Sequence, residues 1–419
     1  MPTFMDSPQR LLFLCQTLPY PPDAGASIRT FNVLRLLAQR FDVTALCFYR
    51  RATHATEQRL ATSTAALSRQ ARLDVFPIPQ EHSRSRWVRD HIASVLTGRP
   101  YTWFAYHSGA FERRLRDLVS SERFDLVHID SLDLSRYVPV VRHLPIICVH
   151  HNVESGLLRR RAMTAMPIAG TYLSLQARLT QREERRWMPE FALNVAVSPN
   201  DADELRRIAP SATVVTVPNG VDTSAFQPSQ GAGNGGLVFV GGATWPPNRE
   251  AMEHFCRDIL PMLRGRGFRG SVTWVGSATE ASKRSYQNRY GVHLTGYVDD
   301  IRPWVAAASC VIVPLRAGGG TRLKILDAWA MGKAIVSTSV GCEGLEARDG
   351  INILIRDEPD AFAEAVRSLL SDHALRAKIG EAARRTAERI YDWQVIGKDM
   401  LDRYAEVLSH AQASTRVAP

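Results

Sequence analysis

The sequence predicts an α/β protein built from two Rossmann-like, doubly wound domains, and three observations support this prediction. A chain of 419 residues is longer than one ordinary hydrophobic core accommodates, so two domains are expected. Short apolar runs alternate with stretches of helical periodicity, a pattern typical of parallel sheets covered by helices. One Gly/Ser/Pro-rich stretch, QPSQGAGNGG at residues 227–236, interrupts that alternation and has the composition of a flexible linker.

The first predicted domain covers residues 1–226, with the C-terminal helix, residues 393–419, packing back on it. Its strands are expected in the apolar runs at 11–15, 43–48, 73–77, 126–129, 146–149, 193–197 and 214–217. Helical spacing of apolar residues predicts the first helix at 28–39. A Gly-containing turn, residues 18–26, separates the first strand from this helix.

The second predicted domain covers residues 237–392. Its strands are expected at 237–240, 272–275, 292–294, 310–313, 334–338 and 351–355, and these runs are nearly all apolar, as for parallel strands covered on both faces. A long helical stretch from 360 to about 410 follows, with a bend near Trp393. Because ligands bind at the carboxyl ends of parallel strands, two facing domains predict a cleft between those sheet edges.

Composition restricts the partners and the compartment. A net charge of +10 favours polyanionic partners, namely anionic lipid headgroups, nucleotide phosphates or nucleic acid, without choosing among them. Six cysteines without a CxxC pair are expected to be free thiols in a reducing compartment. We expect neither a secretory signal nor a membrane-spanning helix, because no apolar run approaches the length that either requires.

The segment GGGTRLKILDAWAMGK at 318–333 carries the strongest chemical signal, and it follows the predicted strand at 310–313. Consecutive glycines let a backbone approach a ligand closely. A helix beginning near Thr321 would direct its free N–H groups at an anion, and Arg322 and Lys324 would add two cations. The segment therefore predicts a diphosphate cradle. The alternative is a tight strand–helix turn with both cations in solvent.

The longer run GGGTRLKILDAWAMGKAIVSTSVGCEGLE at 318–346 resembles the donor-binding region of the family-four, group 1 retaining glycosyltransferases. The resemblance implies a GT-B fold and a nucleoside-diphosphate sugar donor. The family's ribose-binding acid falls on Asp327, and a carboxylate suits a vicinal diol because its two oxygens accept two hydroxyl hydrogens. The acid that holds the transferred sugar would fall on Gly319, so this departure leaves the donor sugar open. The donor segment implied by the match is Gly319, Gly320, Thr321, Arg322, Leu323, Lys324 and Asp327.

Other segments extend the resemblance over nearly the whole chain. Gly25 matches a glycine that approaches the donor phosphate, Gly241 and Gly242 open the second domain as in the family, and Tyr297 and Val298 match a loop that contacts the nucleobase. Many relatives place an Arg and a Lys after the glycine to neutralise the donor diphosphate. Gly242 and Pro247 occupy those positions here, so the nearest cations are Arg249, Arg322 and Lys324, and we favour the last two.

Two polar residues directly follow predicted strands of the first domain, Asp130 after 126–129 and His151 after 146–149 with one histidine between. The resemblance implies that His151 contacts the transferred sugar. The alternatives are a structural histidine at a strand end and a metal ligand. Asp130 would position an acceptor hydroxyl or cap a helix. We expect no metal, because no set of ligands at suitable spacing is evident and relatives of this type work without a divalent ion.

Residues 83–108 combine arginines with apolar and aromatic residues. Val88, Ile92, Val95 and Leu96 share one helical face, near Trp87 and several arginines, which suits a lipid headgroup interface. A second basic cluster lies at 159–161. The alternative is an ordinary amphipathic helix that packs this apolar face on the first sheet.

Together these observations predict a cytoplasmic enzyme, peripheral on the inner face of the cell membrane. It would move a hexose from a UDP- or GDP-linked donor to a glycan or lipid-linked acceptor, with retention of anomeric configuration, in polysaccharide biosynthesis. Nucleic acid is not expected as a partner. No carboxylate in a matched position serves as a covalent nucleophile, so front-face displacement is favoured over double displacement. The alternatives are a nucleotide-sugar epimerase of the same fold and a catalytically silent module that binds glycan or nucleic acid.

Overall fold

The computed structural model describes residues 9–51, 53–229, 236–318 and 322–417. The chain divides into two compact units, one formed by the residues up to 218 together with those from 397 onward, the other by 219–396. Each unit contains one parallel β-sheet covered by helices. The prediction of two Rossmann-like α/β domains is confirmed.

The first unit contains a seven-stranded sheet in the order β3-β2-β1-β4-β5-β6-β7. Its strands are β1 Arg10–Cys15, β2 Asp42–Tyr49, β3 Arg72–Pro77, β4 Leu126–Ile129, β5 Ile146–His150, β6 Leu193–Ala196 and β7 Val214–Thr216. The order reverses at β1, which pairs in parallel with both β2 and β4. That reversal is the position in an open α/β sheet where ligands bind.

Helices cover both faces of this sheet. They are α1 Gly25–Leu37, α2 Glu57–Leu67, α3 Arg84–Thr97, α4 Thr102–Ala105, α5 Gly109–Ser121, α6 Val138–Val141, α7 Glu154–Thr164, α8 Pro167–Trp187 and α9 Pro199–Ile208. The central strands β1, β2, β4, β5 and β6 are almost wholly buried, which explains why they are continuous apolar runs rather than alternating ones. The edge strand β3 is partly exposed. Helix α1 begins at Gly25, earlier than the apolar periodicity from Ile28 indicates, because Ala24 and Ser27 form a capping arrangement ahead of it.

The second unit contains a six-stranded sheet in the order β10-β9-β8-β11-β12-β13. Its strands are β8 Leu237–Val240, β9 Val272–Val275, β10 Val292–Leu294, β11 Cys310–Val313, β12 Ile335–Ser337 and β13 Leu354–Ile355. Its helices are α10 Pro246–His254, α11 Leu260–Gly265, α12 Glu280–Tyr290, α13 Arg302–Ala307, α14 Leu323–Ala330, α15 Pro359–Ser371 and α16 His373–Thr386, with π-helical turns at Phe255–Ile259 and Ala387–Tyr391. The last helix, α17 Trp393–Val417, begins in this unit and continues in the first.

Two element bounds in the second unit differ from the sequence prediction. Helix α14 begins at Leu323, not near Thr321, and Arg322 precedes it in a non-helical conformation. Strand β13 covers only the end of the predicted run at 351–355. Its first residues form a turn instead, in which Gly350 has a φ of +71° and its N–H donates to the Ile353 carbonyl.

The chain passes between the units at 218–219 and again at 396–397, whereas the sequence predicts a boundary at 227–236 and a return near 393. Residues 219–229 belong to the second unit because distant contacts hold them there. Val221 N–H donates to the Tyr391 carbonyl, and Trp393 N–H donates to the Val221 carbonyl. The glycine-rich part of the predicted linker, residues 230–235, lies outside the described residues.

All six cysteines are buried and free, which confirms the prediction of free thiols. Among the described residues, every helix is too short or too polar to cross a bilayer.

Candidate active site

The carboxyl ends of β4 and β5 bring Asp130 and His151 together in the first unit. These strands are parallel neighbours, with Ile129 opposite Cys148, so the residues that follow them emerge at one sheet edge. His151 Nε2 lies 3.3 Å from Asp130 Oδ2, and the Asp130 side chain is 1% exposed. Thr30, on the first helix, donates its hydroxyl to the same carboxylate oxygen at 2.7 Å. Neighbouring strands and one helix therefore converge on a single buried carboxylate.

The electrostatic surroundings keep Asp130 ionised. Burial by itself would raise the pKa of the Asp130 carboxyl, but His151 and His128 more than offset that effect and hold the pKa well below its usual value. A carboxylate only accepts hydrogen bonds. The His151 nitrogen that faces it must therefore carry a proton. Asp130 thus faces His151 at this sheet edge, and among the described residues Ser131, not Asp130, caps the helical turn that follows.

The adjacent histidines His150 and His151 lie in different surroundings. His150, the last residue of β5, is buried and its Nε2 lies 3.0 Å from Asn194 Oδ1. Burial lowers the pKa of His150 to about 4, so this ring is neutral. His151 is thus the histidine at the sheet edge, while His150 belongs to the core. Within the described parts of the chain, no group of three His, Cys, Asp or Glu side chains could hold a metal ion.

The loop after β1 leads to the matched glycine of the first unit. Gly25 is the first residue of α1, is exposed, and has no acidic residue beside it in the first helical turn. The first turn of a helix carries N–H groups without intrahelical partners, which favour an anion. Thr30 and Arg29 on the same helix turn inward, and the Arg29 guanidinium donates to the Pro218 carbonyl at 2.9 Å.

In the second unit, Lys324 lies in a site formed by α14, β8 and α10. Its Nζ donates to Asn248 Oδ1 at 2.8 Å and lies 4.2 Å from the centre of the Phe239 ring. Asn248 in turn donates to the Gly242 carbonyl at 3.1 Å. Burial, with a smaller contribution from Arg322, lowers the pKa of Lys324 to about 7. Within the described part of the chain, the ammonium thus has an amide and an aromatic face as partners, but no carboxylate.

Gly241 shows how closely the backbone approaches this ammonium. Its φ is +150°, and a Cβ there would lie 2.5 Å from Asn248 Nδ2 and 2.9 Å from Lys324 Nζ. Only glycine fits such a position. The two glycines that follow β8 thus line the same site as Lys324.

Arg322 lies directly before α14, where its guanidinium donates to the Val340 carbonyl at 3.1 Å and is largely buried. A Cβ on Gly318 would lie 3.1 Å from Arg322 Nη1, so the arginine packs on that glycine. The alternative in which Arg322 and Lys324 are both solvated is therefore wrong. Gly319, Gly320 and Thr321, the rest of the predicted glycine loop, lie outside the described residues.

Asp327 lies one helical turn beyond Lys324 on α14, and Leu323 begins that helix. Burial raises the pKa of the Asp327 carboxyl to about 7. Its side chain meets no hydrogen-bond donor among the described residues and forms no ion pair with Lys324 there. Two opposite charges thus stand on one helix face, both desolvated, and neither neutralises the other.

The remaining predicted residues occupy loops and surfaces of the second unit. Tyr297 is 64% exposed just after β10, and Val298 next to it packs partly on the core. Arg249 is exposed on α10, where it forms no ion pair with a described residue. Sequence reasoning missed Asn248. The preceding Pro-Pro pair marks a helix start and was the available signal, although its bond to Lys324 is visible only in the fold.

Two parallel-sheet units with loops of this kind define a class, the GT-B glycosyltransferase fold. Two family models match the chain: "Glycosyltransferase Family 4" over residues 24–225 and "Glycosyl transferases group 1" over residues 234–372. The chain belongs to the group 1 glycosyltransferases.

The chain is similar in sequence to known glycosyltransferases and in structure to a protein that binds UDP. The chain is 32% identical over 120 residues to the lipopolysaccharide core biosynthesis glycosyltransferase LpsE of Rhizobium meliloti, a match that spans 28% of this chain and 34% of LpsE. It is 28% identical over 167 residues to a D-inositol 3-phosphate glycosyltransferase of Xylanimonas cellulosilytica, 39% of each protein. The matched part is thus little more than a third of these relatives. The crystal structure of Anabaena HepE in complex with UDP aligns with a TM-score of 0.67 at 15% identity, over 95% of this chain and 100% of HepE.

Proposed function

We propose that this protein transfers a hexose from a nucleoside-diphosphate sugar to a glycan or lipid-linked acceptor, with retention of anomeric configuration. The observation that carries the proposal is the unneutralised pair on α14. A donor diphosphate would supply the negative charge that Lys324 lacks, and a ribose diol would supply the hydroxyl donors that Asp327 lacks. The resulting contacts would bind the donor in the second unit. The HepE complex with UDP supports a uridine nucleotide as the first ligand to test.

The same cation has a chemical task in this proposal. Cleavage of the sugar–phosphate bond places negative charge on the departing diphosphate, and a preorganised cation stabilises that charge as it develops. Lys324 would do so without a divalent ion, with Arg322 adding to the field. In the first unit, His151 would contact the transferred sugar. We propose front-face displacement, and the LpsE match favours assembly of a bacterial surface polysaccharide.

Calorimetric titration with UDP, GDP and the corresponding nucleosides tests the donor site. Replacing Lys324 with Ala should weaken binding of the diphosphate at least tenfold, while nucleoside binding changes little, because the lost contact is to phosphate. Lys378→Ala is the matched control, since that lysine is exposed on α16 of the same unit. An equal loss of affinity for the nucleoside and the nucleoside diphosphate would contradict a contact between Lys324 and phosphate.

Turnover experiments test the reaction itself. Incubation with UDP- and GDP-sugars and candidate acceptors should give a glycoside whose anomeric proton has the configuration of the donor, with or without EDTA. An inverted product would contradict retention, and loss of activity with EDTA would contradict metal independence. Epimerised nucleotide sugar formed without an acceptor would favour the epimerase instead.

We further propose that the first unit binds an anionic membrane surface through α3. The polarity of this helix is the reverse of that of an ordinary surface helix, because it buries the polar residues Asp90 and Ser94 and exposes its apolar side. The exposed apolar residues are Trp87, Val88, Ile92, Val95 and Leu96, which are 49–80% accessible. The alternative in which this face packs on the sheet is therefore wrong. Amphipathic helices with this polarity lie in headgroup regions, where apolar side chains enter the lipid and arginines contact phosphates.

A neighbouring hairpin extends the exposed apolar surface. Helix α3 packs alongside α8 in parallel: Gln176 donates to Ser94 at 2.8 Å, and Arg99, two residues after the end of α3, pairs with Glu183 further along α8. This register places Ile168 near the level of Trp87, and Ile168 is 89% exposed. Two methionines at the α7–α8 turn, Met163 and Met166, are also exposed. Exposed arginines lie on α3 and on α7: Arg84, Arg89, Arg159, Arg160 and Arg161.

Vesicle cosedimentation tests the membrane proposal. The protein should bind vesicles containing phosphatidylglycerol and bind neutral phosphatidylcholine vesicles less, and Ile92→Ser should reduce binding severalfold. Ile351→Ser is a matched control, since Ile351 in the second unit is also 54% exposed. Equal effects of the two substitutions would contradict a specific surface on α3, and capture by another protein instead of lipid would assign the face to a protein partner.

A further inference from the structure

A buried set of polar side chains connects the C-terminal helix to His151. Tyr404 on α17 is 1% exposed, and its hydroxyl lies 2.6 Å from His128 Nδ1. His128 is completely buried within β4 and stacks on Phe13 with ring centres 4.1 Å apart. On its other side, His128 Nε2 lies 3.6 Å from Asp130 Oδ1, and the opposite oxygen of Asp130 faces His151. All these residues belong to the first unit.

The proton positions in this set follow from the available acceptors. The Tyr404 hydroxyl has His128 Nδ1 as its hydrogen-bond partner, and a buried hydroxyl hydrogen needs an acceptor. Tyr404 therefore donates to Nδ1. Burial lowers the pKa of His128, which keeps the ring neutral, so its single proton lies on Nε2 and faces the Asp130 carboxylate. In the opposite tautomer, a lone pair would face the carboxylate and repel it.

We propose that Tyr404, His128 and Asp130 form a positioning chain that fixes the ring orientation and the tautomer of His151. The inference rests on the proposed function in placing His151 at the transferred sugar. Tyr404 selects the tautomer of His128, and the Nε2–H of His128 stabilises the carboxylate. Asp130 then holds the proton of His151 on Nε2, leaving Nδ1 as the ring atom able to accept a hydrogen bond from a substrate hydroxyl. Neither Tyr404 nor His128 would contact substrate.

The contacts in this positioning chain are long enough to shorten when a substrate binds. His128 Nε2, His151 Nε2 and Asp130 Oδ1 are buried, and none makes a hydrogen bond of good geometry within the described parts of the chain. The two histidine nitrogens thus lie at ion-pair distance from the Asp130 carboxylate, 3.6 Å for His128 and 3.3 Å for His151, rather than in a closed hydrogen-bond network. Contacts of this kind commonly shorten when substrate binds.

Nuclear magnetic resonance of protein selectively labelled with 15N-histidine tests the inference directly. In the wild type, His128 and His151 should both show the Nε2–H tautomer, identified with His128→Gln and His151→Gln variants. Tyr404→Phe removes only the hydroxyl and should shift the His128 nitrogens toward a mixture of tautomers, with a smaller shift at His151. The matched control is Tyr137→Phe, because Tyr137 in the same unit is buried and donates to the Tyr106 carbonyl at 2.6 Å. Unchanged His128 and His151 resonances in Tyr404→Phe would overturn the proposal.

Kinetics provide a second readout. Tyr404→Phe should lower kcat by roughly threefold to tenfold, the factor expected for one lost uncharged hydrogen bond, with the donor KM unchanged. Tyr137→Phe should leave both parameters unchanged. If Tyr404→Phe proves unstable, Asp130→Asn serves instead, and the His151 nitrogens should change tautomer. If the wild type shows no sugar transfer, the proposed function fails while the resonances still decide the positioning chain.

Discussion

Substituting Asp327 with Asn should stabilise the protein at alkaline pH while weakening donor binding. Burial raises the pKa of the Asp327 carboxyl from the ordinary 3.8 to about 7. The folded state therefore retains a proton between about pH 4 and pH 7 that the unfolded state releases, so stability falls as pH rises through this window. Asparagine has no proton to lose, so the variant avoids that decline.

The magnitude follows from the same values. One pKa unit corresponds to about 1.4 kcal/mol, so the full difference would destabilise the folded wild type by about 4 kcal/mol above pH 7. Asp327 is partly exposed, and water reduces the cost of its charge. We therefore expect Asp327→Asn to be about 1–2 kcal/mol more stable than the wild type at pH 8, and equal to it near pH 4.

Thermal melts at several pH values, followed by tryptophan fluorescence, to which the buried Trp274 and Trp329 of the second unit contribute, measure this difference in stability. Asp349→Asn is a control of opposite sign. Asp349 pairs with Arg356 at 2.9 Å and its pKa is lowered, so its loss should destabilise the unit at pH 8. The Asp327 variant should also bind UDP at least tenfold more weakly. A destabilised variant, a difference that does not depend on pH, or unchanged UDP affinity would each refute the reasoning.

Three further predictions concern the same unit. Because the pKa of Lys324 is about 7, UDP affinity should decline as pH rises from 7 to 9, and titration calorimetry of Lys324→Met should show a flatter profile. Gly241→Ala would force a Cβ against Asn248, so it should lower the free energy of unfolding by about 2–4 kcal/mol in chemical denaturation and weaken UDP binding. Leu326→Ala empties a fully buried position behind the site and should cost about 2–5 kcal/mol in the same assay, while UDP affinity in the folded variant stays within a few fold.

The strands of both units could be predicted from the sequence because the signal is local. A parallel strand covered on both faces is a short, continuous apolar run, and such runs at 126–129, 237–240, 272–275 and 310–313 coincide with observed strands. The residues that follow these strands emerge at the carboxyl edge whatever the details of packing. Asp130, His151 and Gly241 could therefore be proposed as site residues before the fold was known.

Tertiary structure decided what depends on distant partners. The end of the first unit at 218 follows from the bonds of Val221 to residues near 391, which no local composition reveals. The sequence shows that Lys324 is a base and Asp327 an acid. Only the fold brings Asn248 and Phe239 to Lys324 and partly withdraws Asp327 from water, without an ion pair between the two among the described residues. Tyr404 lies 276 residues from His128 in sequence, and only the packing of α17 brings its hydroxyl to that ring. Apolar periodicity is a local property that can be seen in the sequence. Desolvation and hydrogen-bond partners depend on contacts between segments that are far apart in the sequence, so only the tertiary structure determines them.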